Sequence, residues 1–337
     1  MRYIGLDVHK TNTTACVIAA GGKVVNSLEV RSSESGLQSV HDYMGTAEYC
    51  VMMESSTYSY RTYRFFESLG VEAHVVHAKS LKIVTDSDKK TDKKDAEAIG
   101  RYLRLWKKGE IELSMSYIPT KEECALKDIC RYKEELSSKL GDEVRRIRSH
   151  MARNLEELPI QCSNLSTARS REYIRKTWPD DMTLTKRLDQ YEKLLTESEG
   201  TKGNIVSMLR GDRNVELLET IPGIARQTAV QIMSMIIDIK RFKDPEKLCS
   251  YFGMVPRVRD SGGKENHGRM TKTGDGMMRS IMERVTISHM QFCDSSVKEF
   301  YLRKEREMGV KKALISASRK MLAVIWSVLT NGHPFRA

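Results

Sequence analysis

A chain of 337 residues with 40% hydrophobic content is long and apolar enough for two globular units with packed cores. Its formal net charge of +11 favours a polyanionic partner, nucleic acid ahead of an anionic membrane surface. No run approaches the roughly 18–20 consecutive apolar residues of a membrane span, and the N-terminus enters a strand-like run without the basic and apolar regions of a signal peptide. The seven cysteines are scattered and form no Cys-x-x-Cys pair, and nothing near Cys124 and Cys130 completes a zinc site. A cytoplasmic protein with reduced thiols is expected, without a membrane partner.

Residues 2–9 read as a strand, with Ile4, Leu6 and Val8 on one face and Tyr3, Gly5 and Asp7 on the other. Thr13 to Ala20 is a second strand, Gly21-Gly22 a hairpin turn, and Lys23 to Val30 a third strand. Ser35 to Met44 is helical, and Glu48 to Met53 is a short buried strand ending at Glu54. Tyr60 to Leu69 is a helix closed by Gly70, Val71 to Val76 a fifth strand, and Asp92 to Trp106 a helix. Three strands joined by hairpins, then alternating helix and strand, describe a mixed sheet flanked by helices in the order of a ribonuclease-H-like fold. Residues 121–157 carry an apolar stripe (Leu126, Ile129, Leu136, Leu140, Val144, Ile147) and end before Pro159. A second helical stretch, Thr183 to Leu209, is expected to break near Gly200 and Gly203. These two helices suit either a coiled-coil arm for dimerisation or a bundle within one chain. Leu217 to Ile232 reads as helix, tight Pro222-Gly223 turn, helix. Arg257 to Gly276 reads as a basic, glycine-rich loop, and Lys311 to Leu329 as an amphipathic helix. The expected organisation is α/β plus α: a catalytic domain over 1–110, a helical or coiled-coil region over 118–210, and a mostly helical domain over 211–337.

Four acids stand out by position. Asp7 lies in the first strand, Glu54 just past the fourth, and Asp92 and Asp95 are three apart on one helix face. In a ribonuclease-H-like sheet the first and fourth strands are neighbours, and the helix after the fifth can bring its start over their ends. Clustered carboxylates repel unless a divalent cation neutralises them, and magnesium takes hard oxygen ligands while keeping waters for exchange. Two such ions about 4 Å apart can clamp the attacking and leaving oxygens of a phosphoryl transfer. Lys89, Lys90, Lys93 and Lys94 suit an incoming phosphate backbone.

In the basic segment, Ser261 stands between Arg259 and Lys264 and before Gly262-Gly263. Glycines let a backbone approach a phosphate, and Arg257, Arg259, Lys264, Arg269 and Lys272 supply cations to hold it. A serine there could attack phosphorus and hold one DNA end covalently. The Ile221-Pro222-Gly223-Ile224 turn resembles a helix-hairpin-helix, whose free N–H groups, Gly223 among them, can bind phosphate without reading sequence.

Taken together these stretches resemble the insertion-sequence transposases with a RuvC-like N-terminal domain and a serine-bearing C-terminal domain, whose members are guided by a bridge RNA. The resemblance is carried by Tyr3-Ile4-Gly5-Leu6-Asp7-Val8-His9-Lys10, Met53-Glu54-Ser55, Lys90 to Ala96, Ile221 to Ile224, Tyr251 to Arg257 running on to Ser261-Gly262-Gly263, and Arg319 through Trp326 to Phe335. It spans nearly the whole chain. After Glu54 the run Ser55-Ser56-Thr57-Tyr58 departs from the small residue and Gly that the family places before an aromatic, and residues 163–178 match nothing known. The resemblance implies a Mg2+ site made by Asp7, Glu54, Asp92 and Asp95, with Ser261 as nucleophile. It also implies double-stranded DNA at element ends and target, a structured guide RNA, and a homodimer or tetramer in which one subunit's acids meet another's serine. Such a protein would be cytoplasmic and nucleoid-associated when bound to DNA. Three other readings stand beside this one: a metal-only nuclease resembling a Holliday-junction resolvase, a sugar-kinase-like phosphotransferase, and a nucleic-acid-binding scaffold.

Overall fold

A computed structural model describes residues 1–82, 91–153, 164–261, 264–271 and 274–336, with side chains for all of these except Lys79, Lys82 and residues 256–270. The chain divides into two compact units, Met1–Pro119 and Thr120–Ala337.

The first unit is built on five strands: β1 (Arg2–Val8), β2 (Asn12–Ile18), β3 (Val24–Arg31), β4 (Tyr49–Glu54) and β5 (Glu72–Val76). Their order is β3-β2-β1-β4-β5, with β1–β2 and β2–β3 antiparallel and β1–β4 and β4–β5 parallel. The expected neighbourhood of the first and fourth strands is therefore present. Helices α1 (Glu34–Met44) and α2 (Ser59–Ser68) cover one face, packing Leu37, Val40, Met44 and Phe66 onto Ile4, Leu6, Val17, Val51 and Met53. The short α3 (Ala78–Lys82) and the long α4 (Asp92–Lys107) cover the other, where Leu81, Ala96, Ile99 and Leu103 meet Tyr3, Cys16, Ile18, Cys50 and Met52. Strand alternation sorts the residues between these two layers. Odd-numbered residues of β1 and even-numbered residues of β4 face α4, so Asp7 and Glu54 belong to the same face as that helix.

The second unit starts with a helical arm. Helices α5 (Lys121–Arg153) and α7 (Met182–Met208) pack along each other, with α6 (Ala168–Thr177) at their far end. Ile147, Met151, Leu165, Ile174, Leu184, Leu188 and Tyr191 form the core there. Arg171 and Arg175 of α6 reach Glu192 and Asp189 of α7 at 2.8–2.9 Å. The two helices pack on each other within the chain. The unrecognised stretch 163–178 thus contains the short helix that closes the arm.

Helix α7 runs unbroken through Gly200 and Gly203, contrary to the expected interruption. A mid-helix glycine costs about 1 kcal/mol relative to alanine. That loss is local, and the buried stripe Leu194, Ser198, Thr201 and Ile205 carries the helix past it. Both glycines are exposed, and a Cβ on either would meet nothing within 4 Å. Gly200→Ala and Gly203→Ala should each raise stability by roughly 0.5–1 kcal/mol. The measurement is a higher urea midpoint at unchanged slope; an unchanged or lower midpoint would show that these glycines serve something other than helix continuity.

The rest of the unit packs α8 (Arg213–Glu219), α9 (Arg226–Ile236), α10 (Pro245–Tyr251), α11 (Gly276–Phe292), α12 (Ser296–Met308) and α13 (Val310–Asn331) around one core that includes Leu218, Ile232, Phe252, Met282 and Leu322. Among the described residues α13 alone is long and apolar enough to cross a membrane by length and composition. Its residues Ala317, Met321, Leu322, Ile325 and Leu329 are buried in this core. Between α10 and α11 lies a two-stranded ribbon, β6 (Pro256–Ser261) and β7 (Lys264–Met270), in the segment expected to be a loop. A two-residue Gly-Gly connection is a hairpin signal, as at Gly21-Gly22, but the polar, basic composition of the strands hides their period-two pattern.

Candidate active site

The acids of the first unit are brought together by a close approach of backbone to backbone. A Cβ on Gly5 would lie 2.0 Å from the Ala96 carbonyl oxygen and 2.3 Å from the Gly100 nitrogen. A Cβ on Gly100 would lie 2.9 Å from Ile18 Cγ1 and 3.0 Å from the Gly5 nitrogen. Two glycines facing each other therefore let α4 rest directly on β1. Thr91 caps the helix by accepting from the Lys94 N–H, which sets Asp92 and Asp95 in its first turn, where negative charge suits the helix dipole.

Asp7 sits on β1 two residues beyond Gly5 on the same face. The parallel register pairs Gly5 with Met52 and Leu6 with Met53, and so runs on toward Asp7 and Glu54. Single ligand atoms of Asp7, His9 and Asp92 all lie within 4.8 Å of one another. His9 Nε2 is 3.1 Å from Asp7 Oδ2 and 3.8 Å from Asp92 Oδ1. Asp95 is close enough that its charge acts on Asp7, although it stands outside this tight group. Glu54 also stands outside it, exposed at the end of its strand.

Burial raises the Asp7 carboxyl above its ordinary range, and the negative charges of Asp92 and Asp95 add to the rise, while the contact with His9 opposes it. A half-buried carboxylate destabilised by other carboxylates is a site that lacks positive charge. The donor set of carboxylate oxygens and one imidazole therefore fits a divalent cation.

His9 was missed as a site residue in the sequence reading. His9 lies just past the end of β1, where strand alternation no longer places a side chain. Lys93 and Lys94 are exposed on the first turn of α4, and Lys90 lies outside the described residues.

In the second unit Ser261 is the last residue of β6 and pairs with Lys264 across the ribbon, with Arg257 and Arg259 on the same strand and Arg269 on the other. The backbone of these residues is described and their side chains are not; Lys272 lies outside the described residues. The ribbon is anchored at its root. The Thr271 N–H donates to the Val255 carbonyl at 3.0 Å, and Arg279 donates to the carbonyls of Phe252 and Gly274. Asp275 caps α11 and accepts from Arg131 of α5 at 2.8 Å. Gly223 lies in the turn between α8 and α9 with φ +94°, and a Cβ there would be 2.6 Å from the His289 nitrogen of α11. Buried His289 bonds to the Pro222 carbonyl and to Ser295 Oγ. Helix packing therefore accounts for a glycine at 223.

Comparisons with known proteins cover both units. Residues 4–154 match the family DEDD Tnp IS110, described as transposase, and residues 215–302 match the transposase IS116/IS110/IS902 family. The chain is 23% identical to the transposase for insertion sequence element IS1111A of Coxiella burnetii, an alignment covering 100% of this chain and 92% of the relative. It is 26% identical to the pilin gene-inverting protein of Moraxella bovis over 99% of this chain and 97% of that one. It is 23% identical to a probable family 20 transposase of Pseudomonas aeruginosa, over 72% of each.

Proposed function

The chain belongs to the IS116/IS110/IS902 family of insertion-sequence transposases and is a DNA transposase, and on that premise we propose that it cuts and joins DNA strands with a serine nucleophile, a magnesium-bearing acidic site and an RNA guide. The observation that carries this reading is the convergence of Asp7, Asp92 and His9, with Asp95 within electrostatic range, at the start of a helix that two glycines press onto the sheet.

Asp7, Glu54, Asp92 and Asp95 hold the ion. When bound, it supplies a Lewis acid that polarises the scissile phosphate and stabilises the leaving oxygen. Ser261 Oγ gives up its proton and forms a phosphoester to one DNA end, while the displaced DNA oxygen leaves protonated. Arg257, Arg259, Lys264, Arg269 and Lys272 hold the phosphate backbone around it, and Lys90, Lys93 and Lys94 do so beside the acids. The N–H groups of the α9 N-terminus, where Ala225 offers no side-chain cap, contribute a contact indifferent to sequence. The name of the Moraxella relative speaks of DNA inversion, and strand exchange of that kind fits the same chemistry. The fold of the first unit is taken as ribonuclease-H-like, on its strand order and the place of its acids. The active assembly is a homodimer or tetramer, working in the cytoplasm on nucleoid DNA.

The test is covalent trapping. Wild type, Ser261→Ala and Asp92→Ala are incubated with element-end DNA, the RNA transcribed from the flanking non-coding segment, and Mg2+, and run on a denaturing gel. A protein–DNA adduct in wild type that both substitutions abolish is expected. Cleavage that survives Ser261→Ala with no adduct would leave a metal-dependent nuclease. An adduct formed equally without the RNA would remove the guide from the reading.

A further inference from the structure

We propose that His9 is a direct ligand of the divalent ion through Nε2, beside the carboxylates of Asp7 and Asp92, an inference that rests on the metal-site reading above. Three features of the structure lead to it.

The first is size. Oxygen and nitrogen ligands held at about 2.1 Å by an octahedral ion lie about 3.0 Å apart when adjacent and about 4.2 Å apart when opposite. The separations of His9 Nε2 from Asp7 Oδ2, 3.1 Å, and from Asp92 Oδ1, 3.8 Å, fall within that span. Both distances from His9 thus suit one coordination shell, and the three ligand atoms lie within 4.8 Å of one another.

The second is rigidity. The His9 N–H donates to the Asn12 carbonyl at 3.0 Å, and the His9 carbonyl accepts from Ser32 Oγ at 2.7 Å. Ser32 is itself tied down, its N–H donating to the Thr11 carbonyl at 2.8 Å and its Oγ accepting from the Thr13 hydroxyl at 2.8 Å. A residue outside the strand thus has both backbone groups fixed by β2 and the segment that follows β3, which holds its Cα in place beside Asp7.

The third is access. The His9 side chain is 57% exposed and Asp92 68%, while Asp7 is 17% exposed. The site is a buried carboxylate at its floor with two ligands at its rim, open to an ion and to a phosphate from solvent. The alternative role for the ring is to orient Asp7 by a hydrogen bond without touching the ion. A direct ligand changes metal preference, because an imidazole nitrogen suits transition metals better than it suits magnesium.

The test uses the full chain loaded with Mn2+ alone and read by pulsed electron paramagnetic resonance for a directly bound 14N. Nitrogen modulation is expected in wild type and lost in His9→Ala and His9→Gln. Mn2+ affinity, measured by calorimetry, should fall in His9→Ala by more than the about 10–100-fold that losing an outer partner costs, with a smaller change for Mg2+. Wild type that binds Mn2+ without nitrogen modulation, or modulation that persists in His9→Ala, overturns the proposal and leaves the carboxylate site standing. No Mn2+ binding by wild type, or binding that is unchanged in Asp7→Asn, overturns the metal site itself.

Discussion

Gly5→Ala is expected to cost the first unit about 3 kcal/mol or more and to dismantle the acidic site without touching any acid. The reason is what the new methyl would strike. At 2.0 Å from the Ala96 carbonyl oxygen and 2.3 Å from the Gly100 nitrogen, it meets helix backbone, which cannot swing aside as a side chain can. Helix α4 must then lift from β1, opening the contact among Ala96, Ile99, Leu103, Cys16 and Met52 and carrying Asp92 and Asp95 away from Asp7. A thermal midpoint lower by roughly 10 °C or more is expected for this unit, together with loss of Mn2+ binding. Gly21→Ala is the control: it lies in the turn between β2 and β3, has nothing within 4 Å of its added methyl, and should stay within about 0.5 kcal/mol of wild type. A Gly5→Ala protein with the wild-type midpoint and metal affinity would show that α4 is not seated by this contact.

Asp7→Asn should separate stability from activity in opposite directions. Burial, with Asp92 and Asp95 adding, raises the Asp7 pKa above its ordinary value of 3.8. The folded state then binds this proton more tightly than the unfolded state does. Stability from this group is greatest below pH 3.8, falls as pH rises through the raised folded value, and stays reduced at neutral pH. Asparagine carries no charge there, so the ion-free variant should be more stable than wild type at pH 7, and the difference should vanish below about pH 4. Added Mn2+ or Mg2+ should stabilise wild type in proportion to ligand concentration over affinity and leave the variant unmoved. Adduct formation by the variant should drop below detection, since losing a ligand exceeds the about 10–100-fold cost of losing an outer partner. If the ion-free variant is less stable than wild type at pH 7, the carboxylate is held by favourable contacts and the site is not short of positive charge.

Much of this was legible in residue order. The order of the sheet came by analogy with a ribonuclease-H-like fold. Alternation in residues 2–9 put Asp7 on one face with Gly5, Gly21-Gly22 marked the hairpin between the second and third strands, and the spacing of Asp92 and Asp95 set both on one helix face. These are local properties, because strand and helix periods are built into the covalent chain. The same logic failed where local preference and packing disagreed. Gly200 and Gly203 read as a break, yet the stripe through Leu194, Ser198, Thr201 and Ile205 holds α7 as one helix. The Ser261 segment read as a loop because its composition is polar, whereas β6 and β7 pair as an antiparallel ribbon.

Sequence by itself therefore determined most of the element types, the placing of Asp7 on the face of Gly5 and of Asp92 and Asp95 on one helix face, and the resemblance to the family. Only the tertiary structure decided that α5 and α7 pair within one chain, that Gly223 is a packing glycine against His289, and that His9 joins Asp7 and Asp92. Each of these is a distance between residues far apart in the chain or beyond the end of a strand. Such distances depend on how closely backbones can approach, as Gly5 and Gly100 do across 95 positions of sequence, and no local period encodes that.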